Sequence, residues 1–313
     1  MRRTRNLILM VAAVGILGGG VLVARGMTGD GSAASAVPLA GGFKQAPPAA
    51  SANQSPTPTP TPTGPSPEEL AAQERAKRVK ALNAALKKYA ATVPEFSVAV
   101  LDKTTGETYS YRGDEKYETA SVVKVQVLAC LLLTAQDKGR KVTSSEDALA
   151  KKMIRYSDNA ATTSLFSKLG RASAIGACNK RLGLTQTRVS SSWGLTRTTV
   201  KDQVKLLDAL VDANGELTAS SRKYADTLMS TVAEDQDWGV PAVAKAGEEA
   251  TVKNGWLSRS TENGRWIINS VGRITDDDTD VSIAVLSHLN KTMPSGITVV
   301  EKAAKLTRTH LKY

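Results

Sequence analysis

The chain has 313 residues, with 41 Lys and Arg against 30 Asp and Glu for a net charge of +11, and only two cysteines and two histidines. This length accommodates one large domain or two ordinary ones beside any tails. Two cysteines and two histidines are too few, at usable spacing, for a structural zinc site, and nothing in the sequence implies a metal or a cofactor.

The first segment, 1–26, has three arginines among its first five residues, followed by an 18-residue uncharged apolar run from Leu7 to Ala24. A basic start before an apolar run addresses a chain for export. At 18 residues the run is near the lower limit for spanning a bilayer. It reads as a signal anchor in the membrane, with its basic end inside, or as a signal peptide if cleaved at Ala34-Ser35-Ala36, which lies far beyond the run. No cysteine follows the run, which excludes a lipid anchor there.

Residues 27–67 begin rich in Gly, Ala and Ser and continue as 47-PPAASANQSPTPTPTPTGPSP-67, which holds eight of the twelve prolines. Such a tract cannot build a packed core and reads as an extended extracytoplasmic linker, a spacer holding a domain off the membrane or a tether of no fixed length. Beyond it, residues 68–313 retain 36 basic and 29 acidic residues, a net charge of +7. That balance admits anionic wall polymers as partners, although an ordinary solvated surface explains it as well; outside the membrane, nucleic acid is not an expected partner.

Ser66 is placed to cap a helix with Pro67 at its first position and Glu69 three residues on, and Val79, Leu82, Leu86 and Tyr89 follow at helical spacing. The stretches 96-FSVAVLD-102 and 107-ETYSYR-112 flank a Lys-Thr-Thr-Gly turn and predict a hairpin. From about 119 to 232 the sequence reads as helical throughout, with Thr119 as a cap. Three strands are expected at 250–255, 265–274 and 281–289, and a last helix from about Ile297. The order predicts an α+β fold: a five-stranded antiparallel sheet flanked by the N- and C-terminal helices, with an inserted all-helical subdomain. Cys130 and Cys178 fall in helical, apolar contexts and read equally well as a disulfide or as buried thiols.

Within 119-TASVVKVQVLACLLLTA-135, Lys124 follows Ser121 by one helical turn among valines. Desolvation favours the neutral amine, and a neutral amine near a hydroxyl can activate it for attack. A snorkelling lysine on an amphipathic helix is the ordinary alternative. The Ser-x-x-Lys spacing recurs at Ser220 and Lys223, where it reads as a polar helix start. Two further motifs distinguish the first copy: Ser157-Asp158-Asn159 in the helical block and Lys253-Asn254-Gly255 on a predicted strand.

With these three motifs in this order, the chain resembles the penicillin-recognising serine enzymes, most closely the catalytic domain of class A β-lactamases and their D,D-peptidase relatives. The resemblance covers about 68–313. It implies an exported serine hydrolase or acyltransferase acting on a β-lactam or a peptidoglycan stem peptide. Ser121 would be the nucleophile, Lys124 its base and Ser157 the proton shuttle. Asn159 would hold Lys124 and the substrate amide, and Lys253, Asn254 and Gly255 would receive the substrate. The backbone N–H groups of Ser121 and Trp256 would form the oxyanion hole.

The departures from the family are informative. Class A β-lactamases carry a deacylating glutamate on an Ω-shaped loop between the second and third motifs, but no acidic residue occurs here from Ala160 to Lys201. Deacylation by that route lacks its base, and neither Glu234, Glu248 nor Glu262 is recommended by its surroundings. The span from Ser121 to Ser157 is shorter than in the lactamases, and Asn254 stands in place of a hydroxyl. Efficient lactamase turnover with another base, and a non-catalytic wall-binding module on the same fold, are the alternative functions. Of the tryptophans, Trp193, Trp238 and Trp256 are candidates to line a cleft or to pack the core. With neither His288 nor His310 near a plausible nucleophile in sequence, a Ser-His-Asp hydrolase has little support.

Overall fold

The computed structural model describes residues 64–313, so the signal segment 1–26 and nearly all of the linker 27–67 lie outside the described residues. Helix α1 (Pro67–Ala90) starts as expected: Ser66 Oγ accepts from Glu69 N at 3.1 Å, while Ser66 N donates back to the Glu69 carboxylate at 2.6 Å. Its first turns are exposed, and Leu82 and Leu86 are the fully buried residues of its inner face.

Strands β1 (Phe96–Asp102) and β2 (Thr108–Tyr111) form the predicted hairpin. The last three long strands are β5 (Glu249–Arg259), β6 (Arg265–Thr275) and β7 (Asp280–Asn290). Together they make one antiparallel sheet in the order β2-β1-β7-β6-β5, which leaves β5 at an edge. Strand alternation splits the core in two. Val98, Val100, Ile283 and Val285 face α1 and the final helix, α8 (Met293–Leu311). Ala99, Ala284, Leu286 and Val271 face the inserted helices.

The insertion comprises α2 (Val123–Asp137), α3 (Ser144–Arg155), α4 (Asn159–Leu169), α5 (Arg171–Arg181), α6 (Val200–Ala209) and α7 (Ala219–Ser230). The stretch Ala120–Asp137 is the one helical segment among the described residues long and apolar enough to cross a membrane, but 78% of it is buried inside the domain. It is the central core helix of the insertion. Cys130 on α2 and Cys178 on α5 are joined in a disulfide, which decides between the two readings of these cysteines.

Three expectations need correction. The block 119–232 is not helical throughout: the Thr- and Ser-rich stretch after α5 forms loop, a 3-10 turn and the two-residue strand β4 (Arg197–Thr198), which pairs with β3 (Tyr117–Glu118). β-Branched and hydroxyl side chains compete with helical backbone bonding there. Thr119 does not cap a helix; its backbone is already helical and its buried hydroxyl has no partner. Helix α8 starts at Met293 because Thr292 and Ser295 cap it reciprocally, with Pro294 in the first turn. The second Ser-x-x-Lys is the polar helix start it resembles, with Thr218 capping Ser221 N and Ser220 and Lys223 exposed.

Candidate active site

Ser121 sits in the single 3-10 turn Ala120–Val122 that runs directly into α2. Three features hold this turn. Ala120 is buried with φ +45°, a left-handed conformation that a non-glycine residue adopts only when its surroundings enforce it. Asn269 on β6, fully buried, donates its amide to the carbonyl oxygens of Glu118 at 2.9 Å and Thr119 at 3.0 Å. Gly255 brings β5 against the turn so closely that a Cβ there would lie 2.8 Å from both Ser121 N and Thr119 O. The glycine of the third motif is therefore required by the approach of two backbones.

Lys124 points from the first turn of α2 into a polar knot. Its Nζ lies 2.6 Å from Ser157 O, 3.0 Å from Ser157 Oγ and 2.9 Å from Asn159 Oδ1. Lys253, on β5, reaches the same Ser157 Oγ at 3.1 Å and its neighbour's carbonyl, Asn254 O, at 2.8 Å. One hydroxyl thus bridges two buried lysines. Burial, reinforced by the positive charge of Lys253 and partly opposed by Asp158, brings Lys124 down to about 6. Burial also lowers Lys253 to about 7, against the pull of Asp235. Ser157 occupies the bend between α3 and α4 at φ +55°, and Asp158 fixes that bend by accepting Ala161 N at 2.6 Å as the cap of α4. The structure thus brings Ser121, Lys124, Ser157, Asn159, Lys253 and Gly255 to one place from four elements.

Asn254 is placed differently. It is buried, and both of its amide donors go to carbonyl oxygens of the segment before β5, Gln236 O at 2.8 Å and Trp238 O at 2.9 Å. On the same strand face, Trp256 is half-buried with its ring 6.1 Å from that of buried Trp238. Trp193 lies across the site on the 3-10 turn Trp193–Leu195, its ring centroid 5.1 Å from Lys124 Nζ.

None of the three glutamates considered as substitutes for the missing base is among the charges that act on the two lysines. Glu248 is buried in an ion pair with Arg308, Glu262 lies on the turn between β5 and β6, and Glu234 is exposed. His288 binds Glu95 at 3.0 Å and stacks edge-on against Tyr117. Among the described residues no group of three metal-binding side chains occurs. Sequence reasoning missed the clamp by Asn269; its signal was a lone amide within the apolar strand RWIINSVGRI.

Comparison with known proteins agrees with this architecture. The model of the Beta-lactamase enzyme family matches residues 76–147 and 134–311, and the chain belongs to that family. Over 170 residues it is 32% identical to a putative lipoprotein LppW of Mycobacterium tuberculosis and to its namesake in Mycobacterium bovis, covering 51% of this chain and 54% of each relative. The chain thus spans about half the length of the curated relatives it matches. Among solved structures, a β-lactamase from Xanthomonas campestris superposes with a TM-score of 0.66 at 16% identity, over 75% of this chain and 98% of that one. A class A β-lactamase from Mycobacterium abscessus gives 0.63 at 18%, over 76% and 100%. At these identities the likeness is one of fold.

Proposed function

We propose that the domain is a serine acyltransferase or hydrolase that forms an acyl-enzyme on Ser121 with β-lactam or D-Ala-D-Ala-type peptides. The observation that carries this reading is the Lys124–Ser157–Lys253 hydrogen-bond chain at the start of the helix that the Ser121 turn leads into. A neutral Lys124 has two N–H donors and one lone pair. Ser157 O and Asn159 Oδ1 take the two donors, which leaves the lone pair to accept a hydroxyl proton. Lys253 also donates to Ser157 Oγ, so that hydroxyl lies between the two amines.

In the reaction, Ser121 Oγ bonds to the substrate carbonyl carbon while its proton passes to Lys124 and, through Ser157, to the leaving nitrogen as the C–N bond breaks. The backbone N–H groups of Ser121 and Trp256 would receive the oxyanion, and Lys253 the substrate carboxylate. The commitment of both Asn254 donors supports a structural place for that side chain. The basic, apolar start of the chain and the word lipoprotein in the relatives' name support work outside the cytoplasmic membrane, anchored by residues 1–26 or released if they are cleaved. The +7 domain is suited to anionic wall polymers.

The test is intact mass against time after mixing the protein with a penicillin or an acyl-D-Ala-D-Ala peptide. A persistent adduct that is absent in Ser121→Ala supports the proposal. Rapid product formation without accumulation identifies an efficient lactamase. No reaction with either substrate overturns the enzyme reading in favour of a binding module.

A further inference from the structure

Trp193 stands in the acid-free stretch between α5 and α6 and is fixed at face and edge. Its ring faces Lys124 Nζ at 5.1 Å, and its indole N–H donates to Thr163 Oγ1 of α4 at 3.2 Å. Its turn is tied to the nucleophile's own loop. Thr196 N donates to Trp193 O at 3.1 Å, and Thr119 N, two residues before Ser121, donates to Thr196 O at 2.8 Å. Ser190 N donates to Thr196 Oγ1 at 3.1 Å and steadies the loop from the other side. The ring is half-buried against the core of the helical insertion. Around Lys124 Nζ the remaining partners are Ser157 and Asn159, and the charges acting on it are Lys253 and Asp158.

Hydrolysis of an ester on Ser121 requires a water oxygen to bond to the acyl carbon and the bond from that carbon to Ser121 Oγ to break. One proton returns to Ser121 Oγ, and the other leaves with the product acid or with solvent. A water poised for this needs a hydrogen-bond acceptor to orient it and take its proton. An indole ring offers no such acceptor, and its one donor is already used. We propose that Trp193 is a positioning residue that closes the Lys124 side of the site to water, so that an acyl group on Ser121 is long-lived. This rests on the acyl-enzyme proposed above and adds to it what governs the lifetime.

The experiment uses the full chain and the variants Trp193→Phe, Trp193→Ala and Trp193→Glu. Each is pulsed with a penicillin, freed of excess reagent and followed by intact mass. Trp193→Ala and Trp193→Glu are expected to lose the adduct about tenfold faster or more, with acylation changed by less than about threefold, and Trp193→Phe to keep the wild-type lifetime. An adduct lifetime in Trp193→Ala within about twofold of wild type overturns the proposal, as does a parallel loss of acylation in all three variants, which marks a merely structural residue. A second readout needs no substrate: the Lys124 side chain, carbon-13 labelled and assigned with Lys124→Arg, is titrated by NMR. Water admitted by Trp193→Ala raises its midpoint from about 6, and an unmoved midpoint overturns the shield. If the wild type forms no adduct with a penicillin or an acyl-D-Ala-D-Ala peptide, the acyl-enzyme reading falls, and this titration alone decides whether Trp193 keeps Lys124 dry.

Discussion

Lys124 and Lys253 bind their protons less tightly in the folded chain than in the unfolded one, and two consequences follow with definite sign. In the proposed reaction Lys124 is neutral and Lys253 charged, so acylation is expected to rise with pH through about 6 and to fall above about 7. A stopped-flow profile of penicillin acylation between these limbs checks it; a rate that climbs steadily to alkaline pH would contradict the roles given to the pair. For stability, the unfolded chain holds more protons than the folded one between about pH 6 and the ordinary lysine value of 10.5. Stability therefore increases with pH over that window, and urea midpoints in Lys124→Met should lie higher and depend less on pH. Asn269 invites a different test. Asn269→Leu removes the side-chain donor to the carbonyls of Glu118 and Thr119, at a cost of roughly 1–3 kcal/mol in urea unfolding, and acylation should fall with it. Chemistry at this scale was legible in part. Ser121 and Lys124 stood out as one helical turn apart in an apolar run, and Ser157 and Lys253 stood out only as short motifs in a familiar order. Asn269 and the placement of Trp193 did not, because each acts on a residue more than sixty positions away.

Among the elements, the meeting of β5 with the turn Ala120–Val122 leaves no room for a side chain. Gly255→Ala would set a methyl group 2.8 Å from Ser121 N, where only backbone can yield. Acylation should drop at least about tenfold, about 1.4 kcal/mol in transition-state terms, with the circular dichroism spectrum unchanged. The bridge between α2 and α5 closes a loop across 48 residues, and its removal in the double variant Cys130→Ser/Cys178→Ser should cost roughly 2–4 kcal/mol by urea unfolding. Local signals served well for most elements. Ser66 with Pro67 and Glu69 marked the first helix, and alternation marked the long strands. They failed for 185–199, where a strand of two residues exists only because Tyr117 and Glu118 lie alongside it. They failed also at Thr119, whose cap was pre-empted by Ala120 turning left-handed.

For the whole molecule, the sheet is a shared wall. One face packs α1 and α8, the other the inserted helices, and the residues serving the two faces alternate within the same strands. Neither core can dissolve without exposing the other, so near- and far-ultraviolet signals should unfold together in a single transition; separated transitions would show the insertion to be independent. The order helix, strands, helices, strands, helix was readable from periodicity alone, and it places the three motifs at the seam between sheet and insertion. What periodicity could not convey is how little space that seam leaves, since closeness is a property of side-chain volumes in three dimensions.

The Cys130–Cys178 bridge also carries information about where the chain matures, independent of its first 26 residues. Helix α2 bears both the bridge and, at its start, the turn that holds Ser121. In a reducing cytosol that helix would be held by packing alone, and only an oxidising milieu adds the covalent tie. The bond thus offers a test of compartment: protein made and kept in the cytoplasm should retain two titratable thiols and digest faster with protease, whereas protein recovered from outside the membrane should show none.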